Sequence, residues 1–280
     1  CVRASRARYG LICAAEVLPS TFHTFVFLDD DLLYLRYGCM SSGTDIDITF
    51  DFWTDTPHGK DPDSHSPTLH RYHQVLWCKP LPSGQRFELR NARPKGYLCH
   101  HSPSGEIFLS SDSAIPTFRK ERKKLAHVFA QISEVEQASF LRATYTIGGM
   151  MVFPSKRIDR KNTINGARGF NPQIKDRFDL TMECIRLHYE HKSSPLGDTL
   201  ARYSSFFDLF GSFRGYVDFF LLQDIVTSDY AAVRFHAPFF GFDRSPIPAD
   251  IDAYLSYRRL ATEFIQARGQ RILDATAAET

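Results

Sequence analysis

Residues 54–73 read TDTPHGKDPDSHSPTLHRYH, and this stretch decides how the first half of the chain is organised. It ends in the start of a helix, because Ser66 is a favourable N-cap and Pro67 suits the first helical position, where a missing N–H costs nothing. We therefore predict a helix from Ser66 to about Trp77, ended by Pro80. Its buried face is predicted to carry Leu69, Tyr72 or His73, and Leu76.

The same stretch is dense in side chains that hold protons, metals or phosphates. Four of the eleven histidines of the chain lie inside it, in the sixteen residues 58–73. Free N–H groups at the start of the helix attract anions, so we predict a phosphate or carboxylate pocket here. The alternative is a loop whose Asp and Thr side chains satisfy its own backbone. The candidate catalytic residues are Asp55, His58, Asp61, Asp63 and His73, and the candidate anion ligands are Lys60 and Arg71.

A metal site is the rival interpretation of this loop. Strong metal motifs place their ligands at helical spacing or in tight paired turns, and neither pattern occurs here. We therefore predict no metal ligand, and the sequence leaves the cofactor unknown. The possible ligands by residue type are Asp55, His58, Asp61, Asp63 and His65.

A second polar cluster lies at residues 163–179, TINGARGFNPQIKDRFD. Arginine recognises phosphate or carboxylate with two hydrogen bonds, and asparagine reads base edges or sugar hydroxyls. We predict Asn165, Arg168 and Asn171 as ligand-binding residues. The alternative is that Arg168 or Arg177 pairs with a nearby aspartate and ties the loop to a helix. We expect this cluster and the first loop to meet in one cleft.

Composition sets the outer bounds. The net charge of +2 argues for neither a nucleic-acid-binding nor a membrane protein. The region from Arg119 to Arg177, however, holds thirteen Lys and Arg against five acids, which is consistent with an anionic ligand. Six cysteines without paired spacing indicate reduced cytosolic thiols, and no apolar stretch is long enough to cross a membrane. The twenty-four phenylalanines indicate thick aromatic packing.

The pattern of apolar residues predicts an α+β fold, in which an antiparallel or mixed sheet from the N-terminal half is packed by a helical C-terminal half. We predict one domain over 44–275, with residues 1–43 as an extension outside its core. Predicted strands cover 46–52, 86–90, 96–100, 106–110 and 144–153, the last interrupted by a glycine pair at 148–149. Predicted helices cover 119–142, 176–191, 196–210, 213–225 and 250–273.

Three ordered segments, 50–84, 145–189 and 194–226, resemble the signature stretches of an uncharacterised bacterial family, a domain of unknown function. The first contains FDFWTDTPHGKDPD, the second INGARGFNPQIKDRFD, and the third FFDLFGSFRGYVDFFLLQD. The resemblance covers about residues 44–272. It implies a soluble, cytosolic bacterial protein, and it brings no activity, substrate or catalytic assignment.

We therefore expect a cytoplasmic protein that binds a phosphate-bearing or other anionic small molecule, similar to a nucleotide, with hydrolysis of that ligand as a candidate reaction. One alternative is a nucleic-acid-directed protein that uses the basic 119–177 region, and another is a binding module without chemistry. No nucleotide fingerprint is present, so the sequence leaves open whether the chain is an enzyme. It sets no oligomeric state, and we expect no membrane partner.

Overall fold

The computed structural model describes residues 45–92, 98–102 and 105–278. Four strands in these ranges form one antiparallel sheet in the order β1-β2-β3-β4. This arrangement confirms the predicted meander and the α+β class. The strands are β1 (Leu89–Asn91), β2 (Leu98–Ser102), β3 (Gly105–Ser113) and β4 (Met150–Pro154). The prediction that residues 1–43 form an extension lies outside the described residues.

Strand β3 is the longest of the four and extends three residues beyond its predicted end at Ser110. Its last part pairs with β4, with Asp112 opposite Met151. Every residue of β4 is buried. Because side chains alternate across a strand, the polar run Ser110 to Ser113 can keep some of its members at the sheet surface while β4 lies in the core.

Ten helices accompany the sheet in the described residues. Their bounds are α1 (Pro62–His65), α2 (Pro67–Trp77), α3 (Ala126–Phe129), α4 (Glu134–Thr144), α5 (Ile164–Phe170), α6 (Phe178–Tyr189), α7 (Gly197–Arg202), α8 (Ser204–Phe207), α9 (Phe213–Phe219) and α10 (Ile251–Ala277). Short 3-10 turns cover Arg119–Glu121, Ile147–Gly149, Asp208–Phe210 and Gln223–Ile225. The predicted helix after Ser66 is confirmed, with the Ser66 hydroxyl accepting a hydrogen bond from the Leu69 N–H.

The predicted strand over Ile46–Phe52 is wrong. Its backbone turns instead, because the Asp47 carboxylate accepts hydrogen bonds from the N–H and the hydroxyl of Thr49. Such a local turn competes with the sheet for the same backbone groups. The inside–outside alternation is nevertheless right: Ile46 and Phe52 are buried while Asp47 and Thr49 are exposed.

The predicted helix over 119–142 is divided into three pieces. Ser133 starts a new helix, α4, through a capping box in which its hydroxyl accepts from the Glu136 N–H and the Glu136 carboxylate accepts from the Ser133 N–H. The sequence SEVE carries this signal, and it overrides the continuous apolar spacing. The predicted buried residues Leu125, Val128, Phe129 and Ile132 are all buried.

Aromatic rings fill the core between the C-terminal helices, as the phenylalanine content predicts. The rings of Phe206 and Phe210 lie 5.3 Å apart, those of Phe210 and Phe220 5.1 Å, and those of Tyr216 and Phe220 5.0 Å. Tilted and edge-on pairs at these distances add to the free energy gained by burial alone. The aromatic cluster therefore fixes the short helices α8 and α9 against one another.

Helix α10 packs directly on the backbone before β4. Gly148 lies in contact with this helix. The pair Gly148 and Gly149 belongs to a 3-10 turn and not, as the sequence pattern predicts, to the interior of a strand. The buried Arg268 guanidinium donates hydrogen bonds to the carbonyl oxygens of Gly148 (3.0 Å), Met150 (2.7 Å) and Phe220. Burial without a hydrogen-bonded carboxylate lowers the pKa of Arg268 to about 10, so the group stays charged at neutral pH.

We predict that Gly148→Ala destabilises the protein. Gly269→Ala, in the neighbouring helix α10, should not. A Cβ on Gly148 would lie 2.1 Å from the Ile265 carbonyl oxygen, whereas a Cβ on Gly269 would meet Ile48 at an ordinary 3.6 Å. The first change should lower the free energy of unfolding by about 1–3 kcal/mol or more. The second removes a helix-interior glycine and should raise it by about 0.5–1 kcal/mol. Urea unfolding measures both, and equal effects would contradict the close-approach account.

Candidate functional site

A cavity of about 310 Å³ opens where the two polar clusters of the sequence meet. Asp61 and Asp63 reach it from the first loop, and Gly169, Lys175 and Asp176 reach it from the second. The expectation that both clusters line one cleft is thus confirmed. The remaining lining residues are Asp112, Ser113, Ile115, Pro116, Thr117, Phe118, Arg119, Lys120, Glu121, Leu141, Thr144 and Tyr145.

Arg168 joins the elements behind this cavity. Its side chain is fully buried, and its guanidinium donates to the Asp112 carboxylate (2.8 Å), the Ala114 carbonyl (2.7 Å) and the Asp176 carbonyl (2.8 Å). Its Nε–H donates to the Thr181 hydroxyl at 3.2 Å. A planar guanidinium suits this role because its donors point in fixed directions. Strand β3, the loop after α5 and helix α6 are therefore held in one arrangement.

One wall of the cavity is acidic. The Asp61 carboxylate caps α1 by accepting from the Asp63 N–H at 3.1 Å. Asp63 itself is only 9% exposed, and its Oδ1 atom has no hydrogen-bond partner among the described residues. Burial raises the pKa of Asp63, and the charges of Asp112 and Asp61 raise it further, whereas Ser113 and Arg168 pull it down. Burial also raises the pKa of Asp112, against the opposing charge of Arg168.

The cavity is also lined by cations and by two further carboxylates, Glu121 and Asp176. Lys175 pairs with Glu121 at 2.8 Å, and Lys120 lies 3.5 Å from Asp176. Lys120 is 84% exposed, so its ammonium group is free to move toward a ligand. Arg119 is exposed at the rim and forms no ion pair with a described residue. The lining of the cavity thus combines carboxylates with the exposed cations Arg119 and Lys120.

Tyr145 lies between these walls as a neutral phenol. Burial raises the pKa of its hydroxyl well above the ordinary tyrosine range, and the charges of Asp63, Asp61 and Asp112 add to the shift. The negative charges of these carboxylates therefore act on the Tyr145 hydroxyl. A neutral phenol can donate or accept a hydrogen bond, so Tyr145 can orient a polar ligand.

Three residues that line the cavity adopt left-handed backbone conformations, which residues other than glycine rarely adopt. The φ angles are +58° at Phe118, +47° at Lys175 and +66° at Asp176. Such conformations cost of order 1 kcal/mol or more each and persist when the surroundings enforce them. At Asp176 the enforcement is visible, because its N–H donates to the Arg168 carbonyl and its own carbonyl accepts from the Arg168 guanidinium.

Asp55 occupies the helix end that was expected to attract a ligand. Its carboxylate accepts hydrogen bonds from the Ser66 hydroxyl (2.6 Å) and the Thr68 N–H (2.9 Å) at the start of α2. An internal carboxylate therefore takes the place of an external anion at this helix terminus. The structure places Asp55 as an anchor of the loop, outside the lining of the cavity.

His73 lies in the core, away from the cavity lining. Its Nδ1 accepts from the Trp77 indole N–H at 3.0 Å, and its Nε2 lies 2.8 Å from the Ser111 hydroxyl. Burial lowers the pKa of His73 to about 3, with further lowering by His70 and Arg268. The ring is therefore neutral at physiological pH and satisfies both of its nitrogens within the protein.

The other candidates of the first loop are exposed. His58, Lys60 and Arg71 lie at the surface and are not part of the cavity lining. The Lys60 N–H closes a turn onto the Pro57 carbonyl, and the Arg71 guanidinium lies 5.6 Å from the centre of the Tyr72 ring. Of the five candidate catalytic residues, the structure brings Asp61 and Asp63 to the cavity.

The second cluster has structural contacts of its own. The Asn171 amide donates to the Pro195 carbonyl at 3.1 Å and its oxygen accepts from the Gln173 N–H at 2.8 Å. Asn165 lies half-buried in α5, and its amide oxygen has no partner among the described residues. Arg177 pairs with the buried Asp179, as the alternative interpretation of the cluster expected.

One group of three side chains in the described residues has metal-ligand geometry, and it lies outside the cavity. The ligand atoms of Cys99, His101 and Glu106, on β2 and β3, all fall within 4.8 Å of one another. His101 and Glu106 are exposed and form an ion pair at 3.4 Å, which accounts for their proximity without a metal. The carboxylates of the cavity do not form such a group of three among the described residues.

Sequence reasoning missed Asp112 and the pair Arg119 and Lys120. Asp112 carried a weak signal, as an acid within the polar run Ser110 to Ser113 at the end of a strand. Arg119 and Lys120 belong to a basic run that is typical of a solvated helix face. Their position beside the cavity depends on the turn that Phe118 forms, and no local pattern predicts that turn.

These features define an α+β protein with a cavity that is lined by both carboxylates and cations. The chain belongs to a family of unknown function (DUF6994), whose model matches residues 46–272. This match confirms the resemblance found in the sequence. No curated protein and no solved structure shows a significant match to the chain. Within the described residues, no helix combines the length and apolar character needed to cross a membrane.

We predict that Arg168→Ala destabilises the protein strongly. The change leaves Asp112 and Asp176 beside the cavity without their buried counter-charge, and breaking a buried pair from one side costs about 3–5 kcal/mol. Arg168→Lys keeps the positive charge but removes the planar set of N–H donors, so it should lower the free energy of unfolding by an intermediate amount. Chemical denaturation measures both against Lys161→Ala, an exposed control in the preceding loop. A loss for Arg168→Ala no larger than that of the control would contradict the role assigned to Arg168.

We also predict that His73 makes the free energy of unfolding fall as the pH is lowered. Its folded pKa of about 3 lies below the unfolded value of about 6.5, so the unfolded chain binds the extra proton between these values. Stability from this group is therefore complete above pH 6.5 and falls as the pH falls, by about 2 kcal/mol at pH 5. His73→Gln should flatten the pH dependence of the unfolding free energy by that amount. The exposed His58→Gln should leave it unchanged.

Proposed function

We propose that the cavity binds a phosphate-bearing small molecule, similar in size to a nucleotide or sugar phosphate. The observation that carries this proposal is that three cations, Arg119, Lys120 and Lys175, line one cavity together with the carboxylates Asp61 and Asp63. Arginine and lysine side chains are the usual partners of phosphate oxygens. A volume of about 310 Å³ falls at the small end of typical ligand pockets.

In this proposal, Arg119 and Lys120 hold the phosphate. Both are exposed and lie in the lining, so a ligand reaches them without displacing a buried partner. They take the roles that the sequence suggested for Lys60 and Arg71, which lie outside the lining. Arg168, with its donors engaged inside the protein, positions Asp112 and Asp176 instead of touching the ligand.

Hydrolysis of the bound phosphate ester is the reaction that we propose for this arrangement. A general acid or base works best with a pKa near the working pH, and burial raises the pKa of Asp63 toward that range. Asp61 and Asp63 line the cavity, so both are candidates to transfer a proton at the bound phosphate. Tyr145, as a neutral phenol, is a candidate to orient the leaving oxygen.

A nucleic-acid ligand is the second candidate, and the exposed basic run beside the cavity favours it. Arg119, Lys120, Arg122, Lys123 and Lys124 are all exposed. A run of this kind can follow several phosphates of a strand, in which case affinity would fall steeply with salt. Because the run also includes residues outside the lining, the two candidates predict different effects of mutation.

We further propose that the protein works in the reducing cytosol. Cys99 and Cys184 are buried and form no disulfide among the described residues, which supports this compartment.

We predict that Lys120→Ala weakens phosphate-ligand binding while Lys123→Ala does not. Both residues are exposed and belong to the same run, but only Lys120 lines the cavity. Removing a charge-assisted hydrogen bond should reduce affinity by about tenfold to a hundredfold. Isothermal titration with inorganic phosphate, nucleoside monophosphates and sugar phosphates measures the effect. Circular dichroism melts check that each variant folds.

The same pair of variants separates the two candidates. A strand that follows the whole run would make Lys120→Ala and Lys123→Ala equally damaging, with a salt dependence that grows with each phosphate contact. Titration with a short single-stranded RNA at two salt concentrations measures this. Absence of binding by every phosphate compound and by RNA would show that the cavity is not a phosphate site.

A further inference from the structure

We infer that Asp63 and Asp112 hold a divalent cation of the magnesium type, which links the acidic wall to a phosphate oxygen of the ligand. This inference rests on the proposed function; with the cation bound to Asp63, proton transfer falls to Asp61. It assigns to the cavity a metal that no sequence motif indicates.

The first argument is the unsatisfied oxygen of Asp63. The residue is 9% exposed and lines the cavity, and its Oδ1 atom has no hydrogen-bond partner among the described residues. The Ser113 N–H donates to this carboxylate, but a buried carboxylate oxygen that is left without a partner is costly, and native proteins pair such atoms or use them to bind metals. The nearest fixed cation, Arg168, is engaged by Asp112, Ala114, Asp176 and Thr181, so it offers this oxygen no hydrogen bond.

The second argument is the charge of the cavity as a whole. Five carboxylates line it against three cations, and two of those cations already face carboxylates of their own wall. Asp61 and Asp63 form no ion pair with a described residue. A phosphate that approached Asp61 and Asp63 would meet two carboxyl groups that no ion pair offsets. A divalent cation converts that repulsion into two favourable contacts.

The ligand set selects the type of cation. The available atoms are carboxylate oxygens, which hard cations prefer over the thiolate and imidazole ligands of zinc. Magnesium is usually held by one or two carboxylates together with substrate phosphates and waters. Three carboxylates of this cavity do not converge within 4.8 Å, so the protein alone offers an incomplete set of ligands. The phosphate completes it.

An incomplete site predicts cooperative binding. The cation should bind weakly alone and more tightly when phosphate supplies the remaining oxygens. Thermodynamic linkage then requires the phosphate to bind more tightly in the presence of the cation by the same factor. We expect a factor of about ten or more, within the usual range of coupling between two sites.

The experiment titrates the whole chain with Mn²⁺, a paramagnetic substitute for Mg²⁺, with and without inorganic phosphate. Electron paramagnetic resonance of free Mn²⁺ gives the bound fraction, and titration of protein-free buffer corrects for Mn²⁺–phosphate association. The inference expects saturable binding of one Mn²⁺ per chain, with affinity raised at least about fivefold by phosphate. No saturable binding, or binding indifferent to phosphate, would overturn it.

Variants tie the cation to the named residues. Asp63→Asn should abolish Mn²⁺ binding and, without metal, raise the melting temperature by about 2–4 °C, because the amide needs no proton at a site where burial disfavours the charged carboxylate. Asp252→Asn, an exposed change in α10, should alter neither. Asp112→Asn should also abolish Mn²⁺ binding, but it lowers stability because it breaks the Arg168 pair. Retained Mn²⁺ binding in a folded Asp63→Asn protein would place the cation elsewhere and refute the assignment.

The outcomes also separate this inference from the proposed function. Phosphate binding that is unaffected by Mn²⁺ or a chelator would leave the phosphate site standing and remove the cation. Mn²⁺ binding that depends on Asp63, without binding of any phosphate compound, would refute both the proposed ligand and the bridging role. Binding of neither would refute both proposals together.

Discussion

The Arg168 guanidinium is the interaction on which the arrangement of the cavity depends. It connects the end of β3, the turn at Asp176 and the first turn of α6, three segments that are distant in sequence. A buried arginine is expensive to desolvate, and here that cost is offset by two carboxylates and two carbonyl oxygens. The left-handed backbone at Asp176 persists because both of its peptide groups bond to Arg168. The same contacts bring Asp112 to the cavity from the sheet.

A second buried arginine plays a parallel role on the other side of the sheet. Arg268 bonds only carbonyl oxygens, of Gly148, Met150 and Phe220, and so fixes α10 against the start of β4. The two arginines differ in what surrounds them. Carboxylates accompany Arg168, which faces a cavity, whereas backbone dipoles alone accompany Arg268 in the core.

Much of the architecture follows from local sequence signals. Ser66 and Pro67 start α2, the apolar alternation gives the meander, and the two polar clusters meet as expected. The errors arise where local signals compete. The Asx turn at Asp47 outweighs strand alternation, and the capping box at Ser133 interrupts a helical run. The acidic and basic walls depend on contacts between distant segments, so the parts played by Asp112 and Lys120 cannot be inferred from neighbouring residues.

Asp55 illustrates how a residue can govern the cavity without lining it. Its carboxylate binds the first turn of α2 and thereby fixes the loop that runs on through Asp61 to Asp63. The chain thus supplies its own counter-ion to that helix, and the helix terminus is closed to small anions from solution. A mutational survey that scored only binding would rank Asp55 beside the residues of the cavity. Its influence would nevertheless be exerted through the position of the loop.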